Sequence, residues 1–98
     1  MIYVVDIDDT ICSTKNSEYN KSIPFLDRIK KLNELYNNNH VIIYFTARGA
    51  NSGKDWKAFT EAQLNNWGCL RHSIIFGKPH YDIWIDDKSI NAEQFFNT

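Results

Sequence analysis

The sequence predicts an α/β layer fold: a parallel sheet of about four strands flanked by helices, in one domain spanning residues 1–98. Three observations predict it. Short apolar, β-branched runs alternate with stretches of helical period, the pattern of right-handed crossovers between parallel strands. A chain of 98 residues has room for one hydrophobic core of modest size. Each apolar run also ends in polar residues, and open α/β sheets bind ligands beyond the carboxyl ends of their strands.

Taken in order, Ile2 to Ile7 is an almost unbroken apolar run, suited to a strand covered on both faces. Ser13 to Lys21 is polar and without period, so a loop or small flap is expected there. Ser22, Ile23 and Pro24 then open a helix, because Pro is tolerated in the first turn. Phe25, Ile29, Leu32 and Tyr36 share one face of it. Asn37-Asn38-Asn39 closes it, since Asn accepts the left-handed conformation that helix ends require.

Val41 to Phe45 reads as a second strand and Gly49 to Gly53 as a loop. Trp56, Phe59, Leu64 and Trp67 mark a second helix that Gly68 closes. Ser73 to Phe76 is a third strand, Gly77-Lys78-Pro79 a turn and Tyr81 to Ile85 a fourth strand. Asn91, with Gln94 three residues on, resembles a capping box for a short final helix.

Composition excludes several functions. Lys and Arg number 11 against 12 for Asp and Glu, a formal net charge of -1. Without a basic excess, the electrostatic footprint of a nucleic-acid binder is missing. No apolar run approaches the ~20 residues of a membrane helix, and no basic leader precedes Asp6. Cys12 and Cys69 are the only two cysteines and stand far apart, which suits reduced packing thiols in a cytoplasmic protein.

Two motif-like stretches fail on inspection. Gly49-Ala50-Asn51-Ser52-Gly53-Lys54 has three residues between its glycines where a phosphate loop needs four, and Asp55 follows where Ser or Thr should stand. Asp6 to Thr10 starts like a calcium loop, but Ile11 replaces the needed Gly and Ser17 the closing Glu. His40, His72 and His80 lack metal spacing, with His80 read as a surface imidazole. The Trp and Phe residues are assigned mostly to the core.

The strand exits carry the chemistry. The first delivers Asp6, Asp8, Asp9 and Thr10, the second Thr46 and Arg48, the third Lys78, and the fourth Asp86 and Asp87. So many carboxylates at one sheet edge call for a counter-charge. A hard divalent cation with oxygen ligands, Mg²⁺, supplies it and leaves positions open for phosphate. A hydroxyl and an ammonium beside it suit phosphoryl oxygens. The set therefore points to phosphoryl chemistry with a carboxylate nucleophile.

Val4-Val5-Asp6-Ile7-Asp8-Asp9-Thr10 resembles the first motif of the haloacid-dehalogenase (HAD) superfamily of phosphatases, an apolar strand ending in D-x-D-x-T. Ile42-Ile43-Tyr44-Phe45-Thr46 is similar to its second motif, Lys78 in Phe76-Gly77-Lys78-Pro79 to its third, and Ile85-Asp86-Asp87 to its acidic fourth. The resemblance implies a minimal Rossmann-like core, and the gaps between motifs are too short for the cap domain many members insert. It implies that Asp6 is the nucleophile and that Asp8 protonates the leaving alcohol, then activates water. It implies that Thr46 and Lys78 hold phosphate oxygens. It further implies that Asp6, the backbone carbonyl of Asp8, Asp86 and Asp87 bind Mg²⁺. Ile85 stands where a Gly often precedes the fourth motif.

Trp84 to Ile90, with Glu93 and Phe95, and the Thr46-Ala47-Arg48-Gly49 turn resemble small capless phosphatases of capsule and surface-polysaccharide clusters. The expected substrate is then a small phosphorylated sugar or related metabolite, met by Thr10, Thr46, Arg48 and Lys78. The alternatives are a phosphatase of nucleotides or nucleic-acid ends, and a non-enzymatic, receiver-like phospho-acceptor. An acid/base carboxylate at Asp8 argues against the last, since a switch needs its acyl phosphate to persist. Lacking a cap, and rich in aromatic residues, the chain is expected to form a homo-oligomer in which a neighbour covers the site.

Overall fold

A computed structural model describes residues 1–50 and 52–97; Asn51, within the expected Gly49 to Gly53 loop, lies outside the described residues. The elements are β1 (Ile2–Val5), β2 (Cys12–Ser13), β3 (Ile23–Pro24), α1 (Leu26–Asn37), β4 (Val41–Thr46), α2 (Lys57–Asn66), β5 (Ser73–Phe76) and α3 (Ala92–Phe96). A turn of 3₁₀ helix, Tyr19–Lys21, precedes β3. The result is a small α/β fold.

The main sheet is three-stranded, in the order β1-β4-β5. Both pairings are parallel, with Ile2 opposite Val41, Val5 opposite Tyr44, and Thr46 opposite Phe76. Sequence order runs in one direction across the sheet, so two right-handed crossovers put α1 and α2 on the same face. The core bears this out. Ile29 and Leu32 of α1 and Leu64 of α2 are buried in one cluster with Val5, Ile42 and Tyr44. Burial along β4 alternates accordingly, with Ile42, Tyr44 and Thr46 inside.

The opposite face is left bare. Ile2 and Val4 are 69% and 61% exposed, and Ile75, which shares their side of the sheet, is exposed as well. Among the described residues no helix remains to cover it, because α3 is tied to α1. Arg28 donates to Glu93 at 2.7 Å and lies over the Phe96 ring, Lys31 donates to the Phe95 carbonyl at 2.9 Å, and Phe95 packs beside Tyr3. Asn91 caps α3 by accepting from the Glu93 N–H at 2.9 Å.

Two expectations are corrected. Tyr81 to Ile85 is not a strand: the segment is irregular, with Ile83 79% and Ile85 92% exposed. Its residues favour a strand, but the free edge nearest to it, the outer side of β5, is open only to an antiparallel return after Lys78, whose N–H bonds the Thr46 carbonyl, and the segment does not pair there. The first helix begins at Leu26 rather than at Ser22, because Ile23 and Pro24 pair antiparallel with Ser13 and Cys12. Pro is admissible there, on an edge with no ladder donor required.

Candidate active site

Alternation along the first strand continues past its end. Ile7 and Ile11 are fully buried, which leaves Asp6, Asp8 and Thr10 at the partly exposed rim. Between them Asp9 takes a left-handed conformation, φ +63°, which Asp tolerates better than most residues. The reversal is closed by Thr10 N–H to the Ile7 carbonyl at 3.1 Å and Asp9 N–H to the Cys12 carbonyl at 2.8 Å. It turns the Thr10 hydroxyl back to donate to Asp6 Oδ2 at 3.0 Å.

The other oxygen of Asp6 faces a cation. Lys78 Nζ lies 3.4 Å from Asp6 Oδ1, reaching it from the turn that Gly77 opens at φ +94°. The Lys78 ammonium is nearly enclosed, with the rings of Tyr81, Trp84 and Phe45 at 5.1, 5.6 and 5.8 Å. Aromatic faces favour a cation there and steer it toward the carboxylate. Asp6 itself keeps about a third of its side-chain surface open.

Arg48 has a different surrounding from the one its motif suggests. Its Nε and Nη2 bond Asp8 Oδ2 and Oδ1 at 3.0 and 2.9 Å, and Nη1 donates to Thr60 and Gln63 at 3.2 and 2.8 Å. The guanidinium also lies over the Tyr19 ring at 4.5 Å. Its side chain is fully buried, so its donors serve the protein itself. The Arg48 N–H donates to the Thr46 hydroxyl at 3.1 Å, fixing that group at the end of β4. Gly49 follows in a left-handed turn, and a Cβ there would lie 2.3 Å from the Lys54 carbonyl oxygen.

Sequence reasoning missed the shell behind Asp8. The Thr14 hydroxyl donates to Asp8 Oδ1 at 2.6 Å, and Thr14 and Ser22 hydroxyls are 2.7 Å apart. Gln63 links α2 to the 3₁₀ turn by donating to the Tyr19 carbonyl at 2.7 Å. Thr14, Tyr19 and Ser22 all lie in or beside the stretch read as a polar flap, whose lack of period concealed them. Burial pushes the neighbouring Cys12 thiol above its ordinary range, although the Thr14 hydroxyl works against that. Cys12 sits there as a packing group.

The fold therefore gathers Asp6, Asp8, Thr10, Thr46, Arg48 and Lys78 at the carboxyl edge of the sheet. Asp86 and Asp87 are not gathered with them. Among the described residues no three acidic, His or Cys side chains come together in a group that could hold a metal ion. Asp86 is fully exposed, and its carboxyl is held below the usual range by the Lys88 N–H, which donates to it at 2.9 Å. One chain, among its described residues, therefore does not assemble the Mg²⁺ ligands that the sequence implies.

No family model matches the chain, and no curated protein matches it. It is similar to a crystal structure of a target protein from Vibrio cholerae, with 26% identity and a TM-score of 0.85. The alignment covers 99% of this chain and 88% of that one. The likeness therefore extends over nearly the whole chain.

Proposed function

We propose that this chain is a phosphomonoesterase of the haloacid-dehalogenase type, with Asp6 as its nucleophile. One observation carries the reading: a partly open carboxylate at a strand exit, with a buried ammonium on one oxygen and a hydroxyl on the other. Such a carboxylate is held in orientation while the phosphoryl group approaches, and the same cation meets the charge that the phosphate brings.

In the first step an Asp6 oxygen bonds phosphorus, the bond to the alcohol oxygen breaks, and Asp8 gives that oxygen a proton. In the second, water attacks the aspartyl phosphate and passes its proton to Asp8, releasing inorganic phosphate and restoring Asp6. Arg48 and Thr14 fix the Asp8 carboxyl for both transfers; Oδ2 accepts only Arg48 Nε and keeps a lone pair for the proton. Lys78 and the Thr46 hydroxyl hold phosphoryl oxygens. Mg²⁺ belongs to this reading, and its ligand set closes only once Asp86 and Asp87 join Asp6.

The motif resemblance favours a small phosphorylated sugar or related metabolite as the substrate. The test is a panel of sugar phosphates, nucleotides and a chromogenic ester, with and without Mg²⁺. Mg²⁺-dependent phosphate release, greatest on sugar phosphates, is expected. Lasting acyl phosphate without turnover would return the phospho-acceptor reading, and no phosphate chemistry at all would end both.

A further inference from the structure

Parallel sheets are ordinarily covered on both faces, and this one is covered on one. β1 pairs only with β4, so its outer edge is free, and Ile2 and Val4 beside that edge are exposed. The chain also carries a strand-forming segment, Tyr81 to Ile85, that joins neither the β1 edge nor the free outer edge of β5 and ends in Asp86 and Asp87.

The chain is too short to bring these two together on itself. For Asp86 to stand level with Asp6 on a parallel strand, Asp82 must lie beside Ile2. Lys78 is bonded to Thr46, at the opposite corner of the sheet. Three strand spacings separate β5 from the slot outside β1, about 14 Å, and the five-residue descent from Thr46 to the level of Ile2 adds about 16 Å at right angles. The direct path is roughly 21 Å, whereas four residues from Lys78 to Asp82 span at most about 14 Å.

We propose that two copies of this chain exchange the segment, Tyr81 to Ile85 of each pairing along β1 of the other. Asp86 and Asp87 then close the site of the partner, and the bare sheet faces meet. A second copy presents the same edge without the length limit. Reciprocal exchange is a closed two-fold arrangement that covers the β1 edge of each copy. Delivery of the two carboxylates to a cation rests on the phosphatase reading; the strand exchange does not.

Light scattering on the purified chain should give twice the chain mass, and a monomer would overturn the proposal. Val4→Cys and Trp84→Cys chains, refolded together and treated with a short thiol cross-linker, should give a covalent dimer of the two. Its absence would overturn the pairing. An Asp6→Asn chain refolded with an equal amount of an Asp86→Asn, Asp87→Asn chain should regain about a quarter of wild-type turnover, since half the dimers are mixed and each holds one intact site. No recovery, from an active wild type, would overturn donation between chains. A cross-linked dimer inert to every ester would uphold the exchange and overturn the phosphatase reading instead.

Discussion

Arg48 and Asp8, forty residues apart, form a two-pronged ion pair with both bonds at or under 3.0 Å. The arginine is buried beneath it and also gathers Thr60, Gln63 and the Tyr19 ring. One guanidinium therefore joins the acidic turn, the end of β4, α2 and the 3₁₀ turn.

Arg48→Ala should consequently act first on stability. Removing the guanidinium leaves the half-buried Asp8 carboxylate and the Thr60 and Gln63 oxygens without their donor, at a cost of about 1–3 kcal/mol. Arg48→Lys should recover only part of this, because an ammonium cannot make the two-pronged contact. Denaturant titration of the three proteins checks the order wild type, Lys, Ala; equal midpoints would show that the pair holds nothing together.

Asp6→Asn should abolish phosphate release and leave the fold intact. The amide keeps the shape and can still accept from Thr10, but it cannot attack phosphorus. Phosphate release and circular dichroism, measured together, separate loss of chemistry from loss of structure.

Asp8→Asn should slow both half-reactions by roughly 10²–10⁴-fold, the usual loss on removing a general acid/base. Esters with activated leaving groups should recover much of the first step, since they depart without a proton. Single-turnover rates for an activated and an alkyl ester provide the comparison, and equal losses would assign Asp8 another role.

The buried thiols should set a limit on alkaline stability. Burial pushes the Cys69 thiol from its ordinary 9.0 up to about 11. Below pH 9 folded and unfolded chains both keep that proton. Above it the unfolded chain ionises first, so stability falls with rising pH until the folded thiol titrates as well. Unfolding followed from pH 8 to pH 11 should show the decline, and Cys69→Ala should flatten it. At pH 8 neither thiol of the folded protein should react with iodoacetamide.

The three sheet strands were legible because each is a short apolar run bounded by polar residues, and Ser73 to Phe76 has the same limits in sequence and structure. The helix end at Asn39, left-handed at φ +70°, was legible for the same local reason. Tyr81 to Ile85 misled because a strand depends on a neighbouring edge, and that edge is a matter of chain reach rather than of residue type. Asp6, Thr10 and Lys78 were readable from their places at strand exits. The partnership of Arg48 with Asp8 was not: it depends on α2 and the Tyr19 turn closing behind the guanidinium, and no local pattern records that.

The left-handed turn at Asp9 bears on how this sequence can drift. Its carboxylate lies in the most acidic stretch of the chain, yet it accepts only the Thr14 N–H, and its backbone angle is what returns Thr10 to Asp6. Gly or Asn can replace it and keep the turn. A β-branched residue would add about 1–2 kcal/mol of backbone strain while touching no reacting group. Position 9 thus contributes a backbone angle rather than a charge to the site, and a change there would be felt as a displaced Thr10.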